Sequence, residues 1–491
     1  MDSETPRPLR PALTQADIRQ IFGGILLAMF LAALDQTIVA TAMPTIGRDL
    51  RDLEHLPWIV TAYLLAATAV TPLYGKFSDM HGRRIAMLIA IATFVAGSIA
   101  CAMAPTMLVL ILARALQGLG GGGLISLAQT IIADMVTPRE RGRYQVWIAS
   151  VFATSSLAGP VLGGFIAETL HWSVIFWINL PLGALALWLT NSRLKLLPRH
   201  DRPHRLDILG ALLMVGGTVS LMLALNWGGV HMPWTSPAIL GLLGTALLFW
   251  TGFVLRLATA REPLIPPAIL ANRVVGAAIL SGACGMGTFI GLTIFVPIFF
   301  EATLGLSARQ SGLALIPFMV GTVTGATISG RSMARLTRYK RLPMAGLTAA
   351  LLSLAALVRV TPAWPLAVVE VLLALVSLGI GTLLPVTIIA VQNAVDPRHL
   401  GAATASVNFF RQLGGAIIVA VFGAIAFGSR AGGQGLTLET LSSSRLAFSA
   451  SAFQSVFLAA ALGVGTALAF LIVMEERPLK ERPAAQATPL E

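Results

Sequence analysis

The sequence predicts an all-α integral membrane protein with about 14 transmembrane helices, and three observations support this fold class. Of its 491 residues, 56% are hydrophobic and only 11% are charged, whereas soluble domains carry about 25% charged residues. The chain also contains many apolar runs of about twenty residues, each long enough to cross a bilayer core of about 30 Å as a helix. The runs are continuous rather than alternating, which favours helices over a β-barrel.

The apolar runs also predict the order of the helices along the chain. The first run is too long for a signal peptide and lacks a cleavage signature, so we expect it to remain as helix 1. We expect helices 1 to 14 at about 21–43, 57–75, 85–103, 107–132, 144–167, 172–190, 207–227, 236–256, 274–300, 310–330, 343–360, 364–390, 402–427 and 448–473.

Basic residues are distributed unevenly between the two sides of the predicted membrane domain. With the N-terminus inside, the inner segments contain 26 Lys and Arg residues and the outer segments six. This asymmetry predicts both termini in the cytoplasm, and we expect a bacterial inner (cytoplasmic) membrane as the location. Because the asymmetry accounts for the net charge of +12, we expect the lipid bilayer as a partner and no nucleic acid.

Two short segments recur at a nearly constant spacing. The loop at 75–84 has a degenerate counterpart at 330–338, and the segment at 138–142 has one at 397–401. The similar offsets predict two six-helix pseudo-repeat halves with two inserted helices between them. The predicted parts are a cytoplasmic tail at 1–20, a first half at 21–190, a linker with two extra helices at 191–273, a second half at 274–474 and a cytoplasmic tail at 475–491.

One carboxylate lies deep in predicted helix 1. At 1.5 Å per residue, Asp35 is about 12 Å from the outer end of helix 1, and Arg114 is about 10 Å from the outer end of helix 4. A buried carboxylate costs several kcal/mol when it is charged, so protonation near neutral pH becomes possible. We therefore predict Asp35 as the proton-coupling residue with Arg114 as its partner. The alternative is a static ion pair that only fixes helix packing.

A third charge, Arg411, lies about 13 Å from the inner surface in predicted helix 13. A charge at this depth needs an interior partner or a water-filled cavity. We expect polar neighbours at Gln392, Asn393, Asn408 and Gln412. We expect Arg411 to contact the substrate or to take part in coupling, and the alternative is a structural pairing. For the aromatic cavity candidates, the alternative is ordinary packing. The candidates for a substrate cavity are Tyr63, Gln117, Phe152, Phe289, Gln392, Asn408, Phe410, Arg411 and Gln412.

Several motifs occur in a fixed order along nearly the whole chain. They are L-D-Q-T-I-V at 34–39, G-K-F-S-D-M-H-G-R-R at 75–84, R-A-L-Q-G-L-G-G at 114–121, G-P-V-L-G-G at 159–164, W-I-N-L-P-L-G at 177–183 and F-F-R-Q-L-G-G at 409–415. Together they resemble the fourteen-helix drug:proton antiporter branch of the major facilitator superfamily.

This resemblance implies a gate at the inner face. In it, Asp79 would meet the start of helix 13 near Ala402, where a helix dipole favours negative charge, and Arg83 would pair with Asp134. The alternative to a gate is that the basic residues of this loop only follow the excess of Lys and Arg on the cytoplasmic side. The gate residues implied are Gly75, Asp79, Gly82, Arg83 and Asp134.

The resemblance also implies an antiporter motif in helix 5, formed by Gly159, Pro160, Gly163 and Gly164. Small residues permit close helix approach and proline bends a helix. In the family, such a helix is expected to prevent leak and favour exchange. Tight packing without directional consequence is the alternative.

From these features we expect a proton-coupled secondary transporter that exports lipophilic or cationic small molecules by alternating access. It would be a monomeric multidrug efflux protein conferring antibiotic resistance, driven by the proton gradient without a cofactor or metal, and not an enzyme. Export of a specific metabolite, lipid or siderophore is one alternative, and proton-driven import is another. A third alternative is a membrane sensor or an intramembrane enzyme. The sequence contains no catalytic constellation, which argues against this alternative.

Overall fold

The computed structural model describes residues 15–196, 206–229, 231–333, 335, 336, 338–361, 363–428 and 450–480. Parts of the predicted tails and linker, most of the segment between predicted helices 13 and 14, and the start of predicted helix 14 lie outside these residues. The described chain is helical, without strands. The helices are α1 Gln15–Asp49, α2 Leu56–His81, α3 Arg83–Ala102, α4 Met107–Met135, α5 Pro138–Thr169, α6 Val174–Trp177, α7 Asn179–Arg193, α8 Ile208–Trp227, α9 Pro237–Thr259, α10 Pro267–Ala271, α11 Arg273–Leu304, α12 Ala308–Ala314, α13 Ile316–Met333, α14 Arg341–Leu357, α15 Leu366–Ala394, α16 Leu400–Gly428 and α17 Ala450–Val473.

The helices agree with the predicted membrane fold. Within the described residues, 13 spans are long and apolar enough to cross a membrane, counting α6–α7 and α12–α13 as one span each. Helix α14 is a shorter apolar helix in the position of predicted helix 11. The multi-pass all-α fold class is therefore confirmed.

Predicted helices 6 and 10 are interrupted, which corrects the expectation of continuous helices. The first is divided into α6 and α7 at Ile178, and the second into α12 and α13 at Leu315. The reason is a nearby proline in each case. Pro181 and Pro317 lack the N–H that would bond to the carbonyl four residues earlier.

Helices α1 to α7 pack together as a first bundle, and α11 to α17 as a second bundle. In the first bundle, glycines allow α4 to approach both neighbouring helices. A Cβ atom on Gly122 would lie 2.2 Å from the Ala67 carbonyl oxygen of α2, and one on Gly120 would lie 2.3 Å from the Phe94 nitrogen of α3. Any side chain at these two positions would force the helices apart.

The two bundles meet along α2–α16 and α5–α13. A Cβ atom on Gly75 would lie 2.6 Å from the Gly401 carbonyl oxygen, and one on Gly142 would lie 2.2 Å from the Gly330 carbonyl oxygen. Both contacts lie at one end of the protein, where α2 is followed by α3 and α4 by α5. We call this end the basic end, after Arg83 and the other cationic residues of these connections.

Helices α8 and α9 lie beside the seam between α2 and α16. An ion pair of 3.0 Å between Asp207 and Arg256 joins the two helices. The side chain of Met222 in α8 belongs to one apolar cluster with Leu65 of α2 and Leu413 of α16. The inserted pair therefore contacts both bundles.

Candidate transport site and gate

A fully buried ion pair lies between α1 and α4. The Asp35 Oδ2 atom accepts a hydrogen bond of 2.6 Å from Arg114 Nη1, and the two side chains are 0% and 1% exposed. The Asp35 Oδ1 atom accepts from Gln117 Nε2 at 2.8 Å and from Asn179 Nδ2 at 3.0 Å. The carboxylate therefore accepts three side-chain hydrogen bonds in this conformation.

Arg114 is held by neutral groups as well as by Asp35. Its Nε donates to the Ile59 carbonyl at 3.0 Å and its Nη1 to Gln117 Oε1 at 2.6 Å. The guanidinium also lies 4.5 Å from the centroid of the Tyr63 ring, in a cation–π contact. These partners fix the guanidinium independently of the carboxylate.

Two members of this network were not predicted from the sequence. Ser98 Oγ accepts from Gln117 at 2.7 Å and from Asn179 at 2.8 Å, so it connects the two amides. Asn179 is the first residue of α7, next to the interruption at Ile178. Its place in the motif at 177–183 was a usable signal, whereas Ser98 lies in the apolar helix α3 outside the motifs.

The depth expected for Asp35 is wrong, although the expected partner is present. Helix α1 continues through Pro44 to Asp49, so Asp35 lies about 21 Å from the end of its helix rather than about 12 Å. Arg114 lies about 10 Å from the start of α4. The direct contact places both side chains at one level, and α1 therefore extends beyond α4 at the end opposite the basic end.

The predicted gate residues converge at the basic end. The Asp79 carboxylate accepts hydrogen bonds from the backbone N–H groups of Gly401 at 2.9 Å and Ala402 at 2.8 Å, at the start of α16. This position also benefits from the helix dipole. Arg83 Nε donates to Asp134 Oδ2 at 2.8 Å, and Arg83 Nη1 to Asp79 Oδ1 at 2.5 Å. One arginine thus joins two carboxylates of the first bundle, and one of these carboxylates binds the second bundle.

Glycine is required at two positions of this loop for different reasons. Gly82 has a φ of +88° between α2 and α3, a conformation that other residues adopt at a cost. Gly75 permits the close contact with the second bundle, because a Cβ atom there would lie 2.5 Å from the Ala405 Cβ atom.

The four residues of the helix 5 motif do not share one environment. A Cβ atom on Gly159 would lie 2.0 Å from Thr37 Oγ1, and one on Gly163 would lie 2.2 Å from Thr41 Oγ1, so both face α1. Pro160 is exposed within α5. In the part of the chain that the structure describes, a Cβ atom on Gly164 would meet nothing within 4 Å. Gly164 therefore does not contribute to close helix approach, contrary to the expectation, because it lies on another face of α5.

Gly159→Val and Gly164→Val form a matched pair that tests this division. We expect Gly159→Val to lower the melting temperature of the purified protein, because overpacking of a close contact costs about 1–3 kcal/mol. Gly164→Val should change it little. Equal melting temperatures for the two variants, measured in one detergent, would contradict the assigned α1–α5 contact.

The environment of Arg411 differs from the expectation. Its Nη2 donates to the Leu384 carbonyl at 2.7 Å and to Thr387 Oγ1 at 2.6 Å, both in α15. Within the described residues, the Nε atom is buried without a hydrogen-bond partner. The polar neighbours proposed from sequence are bonded elsewhere, because helix rotation directs them away from Arg411. They are Gln392, Asn393, Asn408 and Gln412.

The remaining cavity candidates do not form one cluster. Tyr63 and Gln117 are buried in the network around Arg114 rather than on a cavity wall. Phe289 stacks on Phe318 with ring centroids 5.3 Å apart, and Phe410 packs edge-on against Phe409. Phe152 of α5 is 38% exposed.

The described chain contains 13 spans long and apolar enough to cross a membrane, and Asp79 connects its two bundles. The sequence model of the Major Facilitator Superfamily matches residues 25–419. The chain belongs to this superfamily, and the predicted family is confirmed.

Particular relatives refine the comparison. The chain is 35% identical to the multidrug transporter protein MdtP of Bacillus subtilis over 411 residues, which are 82% of this chain and 74% of the relative. It is 36% identical to multidrug resistance protein 3 of Bacillus subtilis over 414 residues, which are 84% and 80% of the two chains. The crystal structure of the human organic anion transporter MFSD10 (TETRAN) has a TM-score of 0.64 at 16% identity, covering 93% of this chain and 99% of that one. This last likeness concerns the fold alone.

Proposed function

We propose that this protein is a proton-coupled multidrug exporter that moves lipophilic or cationic small molecules by alternating access. The observation that carries the proposal is the buried Asp35–Arg114 pair, with the carboxylate enclosed by three donors. The curated relatives named as multidrug transport proteins support the substrate class.

The proposed topology follows from the distribution of basic residues. The basic end faces the cytoplasm of a bacterium, and both termini lie on that side of its inner membrane. The two six-helix halves, at 21–190 and 274–474, move relative to each other in a monomer. The linker at 191–273 supplies α8 and α9, which we assign to packing beside the α2–α16 seam.

The gate at the basic end supports alternating access. Asp79 joins the first bundle to the start of α16, and Arg83 joins Asp79 to Asp134. These contacts hold the bundles together at the cytoplasmic side. They must break when that side opens to admit a substrate, and they must form again before the outer side opens.

Asp35 couples this movement to protons. A proton arriving from outside neutralises the carboxylate and weakens the bond from Arg114, which retains the Ile59 carbonyl and Gln117 as acceptors. The neutral acid no longer attracts a cation, so a cationic substrate is released outward. When the proton leaves toward the cytoplasm, the ion pair with Arg114 forms again.

Arg411 favours a second candidate function, the export of a specific acidic metabolite. Among the described residues, its guanidinium has bonds to neutral acceptors but no carboxylate partner, and its Nε is unbonded. A buried cation of this kind is costly unless an anion compensates it. An acidic group on the substrate could provide that compensation.

The experiment is transport by the purified protein in liposomes with an imposed pH gradient. The compound panel contains lipophilic cations, neutral amphiphiles and amphiphilic acids. We expect several cations to be transported, and a protonophore to stop their transport. Transport confined to acids would favour the second candidate, and the absence of gradient-driven transport for every compound would contradict proton coupling.

A further inference from the structure

Neutral side chains connect the two bundles between Asp35 and the charged gate. Thr68 Oγ1 of α2 donates to Gln412 Oε1 of α16 at 2.7 Å. Asn408 Nδ2 of α16 donates to Gln129 Oε1 of α4 at 2.7 Å. Gln392 Nε2 of α15 donates to the backbone carbonyl of Gln129 at 3.3 Å. We call these five residues the amide layer.

The amide layer extends over several helical turns. At 1.5 Å per residue, Gln129 lies about 9 Å from the end of α4 at the basic end, and Thr68 lies about 20 Å from the corresponding end of α2. Arg114, the partner of Asp35, lies about 32 Å from the end of α4. A proton moving between Asp35 and the basic end along the bundle interface must therefore pass this layer.

The chemistry of the layer does not favour proton transfer. Amide and hydroxyl side chains have no pKa near neutral pH, so they cannot accept and release protons as carboxylates do. Four of the five residues are at most 8% exposed, which leaves little room for water. The cationic Arg141 borders the layer. Its Nη1 donates to Gln392 Oε1 at 3.5 Å, and its Nη2 donates to the Ala133 backbone carbonyl at 2.7 Å.

We propose that the amide layer is a second inner gate that insulates Asp35 from protons at the basic end. This proposal rests on the proposed proton coupling. The gate of Asp79, Arg83 and Asp134 consists of charged side chains, whereas the amide layer is neutral. The two gates have separate tasks. The charged residues hold the bundles closed, and the amides prevent a proton leak while the outer side is open.

Asn408→Asp introduces one titratable group into this layer with almost no change in shape. A protonated carboxyl group has one O–H, so it can replace one of the two donations of Asn408, to Gln129 Oε1 or to the Thr404 backbone carbonyl. The ionised form would face the Thr404 carbonyl without a proton, so it destabilises the closed layer. The charged groups on the helices packed around this position include Arg411 on α16, Lys76 and Asp79 on α2, Arg114 and Asp134 on α4 and Arg141 on α5.

We expect Asn408→Asp to raise the proton leak of liposomes that contain the protein but no substrate by about tenfold. The reason is that a positioned carboxyl group transfers protons where an amide cannot. The leak is measured with a pH-sensitive dye under an imposed gradient. Asn393→Asp is the matched control, because Asn393 bonds to Pro478 and Lys480 within the second bundle. The control should leak no more than the unmodified protein. An equal leak from both variants, or none from Asn408→Asp, would overturn the insulating role.

A labelling readout separates this proposal from the proposed function. Ala405 is fully buried at the bundle interface, so Ala405→Cys on a background lacking Cys101 and Cys284 reports opening of the basic end. Because the reactivity of a thiol itself rises with pH, labelling at each pH is divided by that of Ala405→Cys alone, and this ratio should rise with pH when Asn408→Asp is added. Asn408→Leu should raise labelling at every pH. Unchanged labelling in both variants would reject the second gate even if gradient-driven transport occurs. Absent gradient-driven transport with pH-dependent labelling would reject only the proton coupling.

Discussion

Asp35→Asn is expected to abolish gradient-driven transport, to the level of liposomes without protein. An amide accepts hydrogen bonds as the carboxylate does, but it cannot take up and release a proton near neutral pH. The carboxylate is enclosed by Arg114, Gln117 and Asn179, so its loss removes the titratable group at the centre of the network. The measurement is initial uptake or release of a transported cation under an imposed pH gradient.

Two further variants separate this role from a purely structural one. Asp35→Asn leaves Arg114 charged and buried without an anion, which costs about 3–5 kcal/mol, so the melting temperature should fall. Adding Arg114→Gln should restore the melting temperature without restoring transport. Asp49→Asn is the control on the same helix, because the Asp49 side chain is 49% exposed, and it should retain transport. Full gradient-driven transport by Asp35→Asn would contradict the assignment.

Arg83→Asp should produce the second largest loss of transport. The change removes the cation between Asp79 and Asp134 and adds a third carboxylate in its place. Repulsion among these groups weakens the contact of Asp79 with Ala402, so the basic end should open more often and Ala405→Cys should become accessible to labelling. Arg84→Asp is the matched control, because Arg84 donates to Asn191 rather than to an acidic residue.

Adding Asp134→Arg to Arg83→Asp should restore only part of the transport. The exchanged pair regains one attraction, but the carboxylate at position 83 still faces Asp79, which Arg83 also binds at 2.5 Å. A double-mutant cycle on labelling measures the coupling. Coupling within error of zero would remove the Arg83–Asp134 contact from the gate.

The helices and the two charged centres could be predicted because they depend on long apolar runs and local motifs. Crossing helices need about twenty apolar residues, and the family resemblance carried by the motif at 75–84 implied the partners of Asp79 and Arg83. Helix ends were less predictable. Pro44 is accommodated within α1, whereas Pro181 accompanies an interruption, because neighbouring packing decides whether a lost hydrogen bond can be replaced.

Side-chain partners inside the protein could not be predicted from depth alone. From their depth in the membrane, Asn408 and Gln412 were expected to be neighbours of Arg411. Residues at one depth can nevertheless point to different neighbours, because each residue turns the helix by about 100°. Arg411 turns toward α15, whereas Asn408 and Gln412 turn toward the first bundle. The same geometry separates Gly164 from Gly159 and Gly163.

The central claim is that substrate and protons move in opposite directions through Asp35. The most direct test loads liposomes containing the purified protein with ethidium, a lipophilic cation, and follows ethidium and internal pH together without an imposed pH gradient. Outward movement of ethidium should drive protons inward, and Asp35→Asn should remove this proton movement. Ethidium movement without a change in internal pH, or with protons in the same direction, would contradict the account.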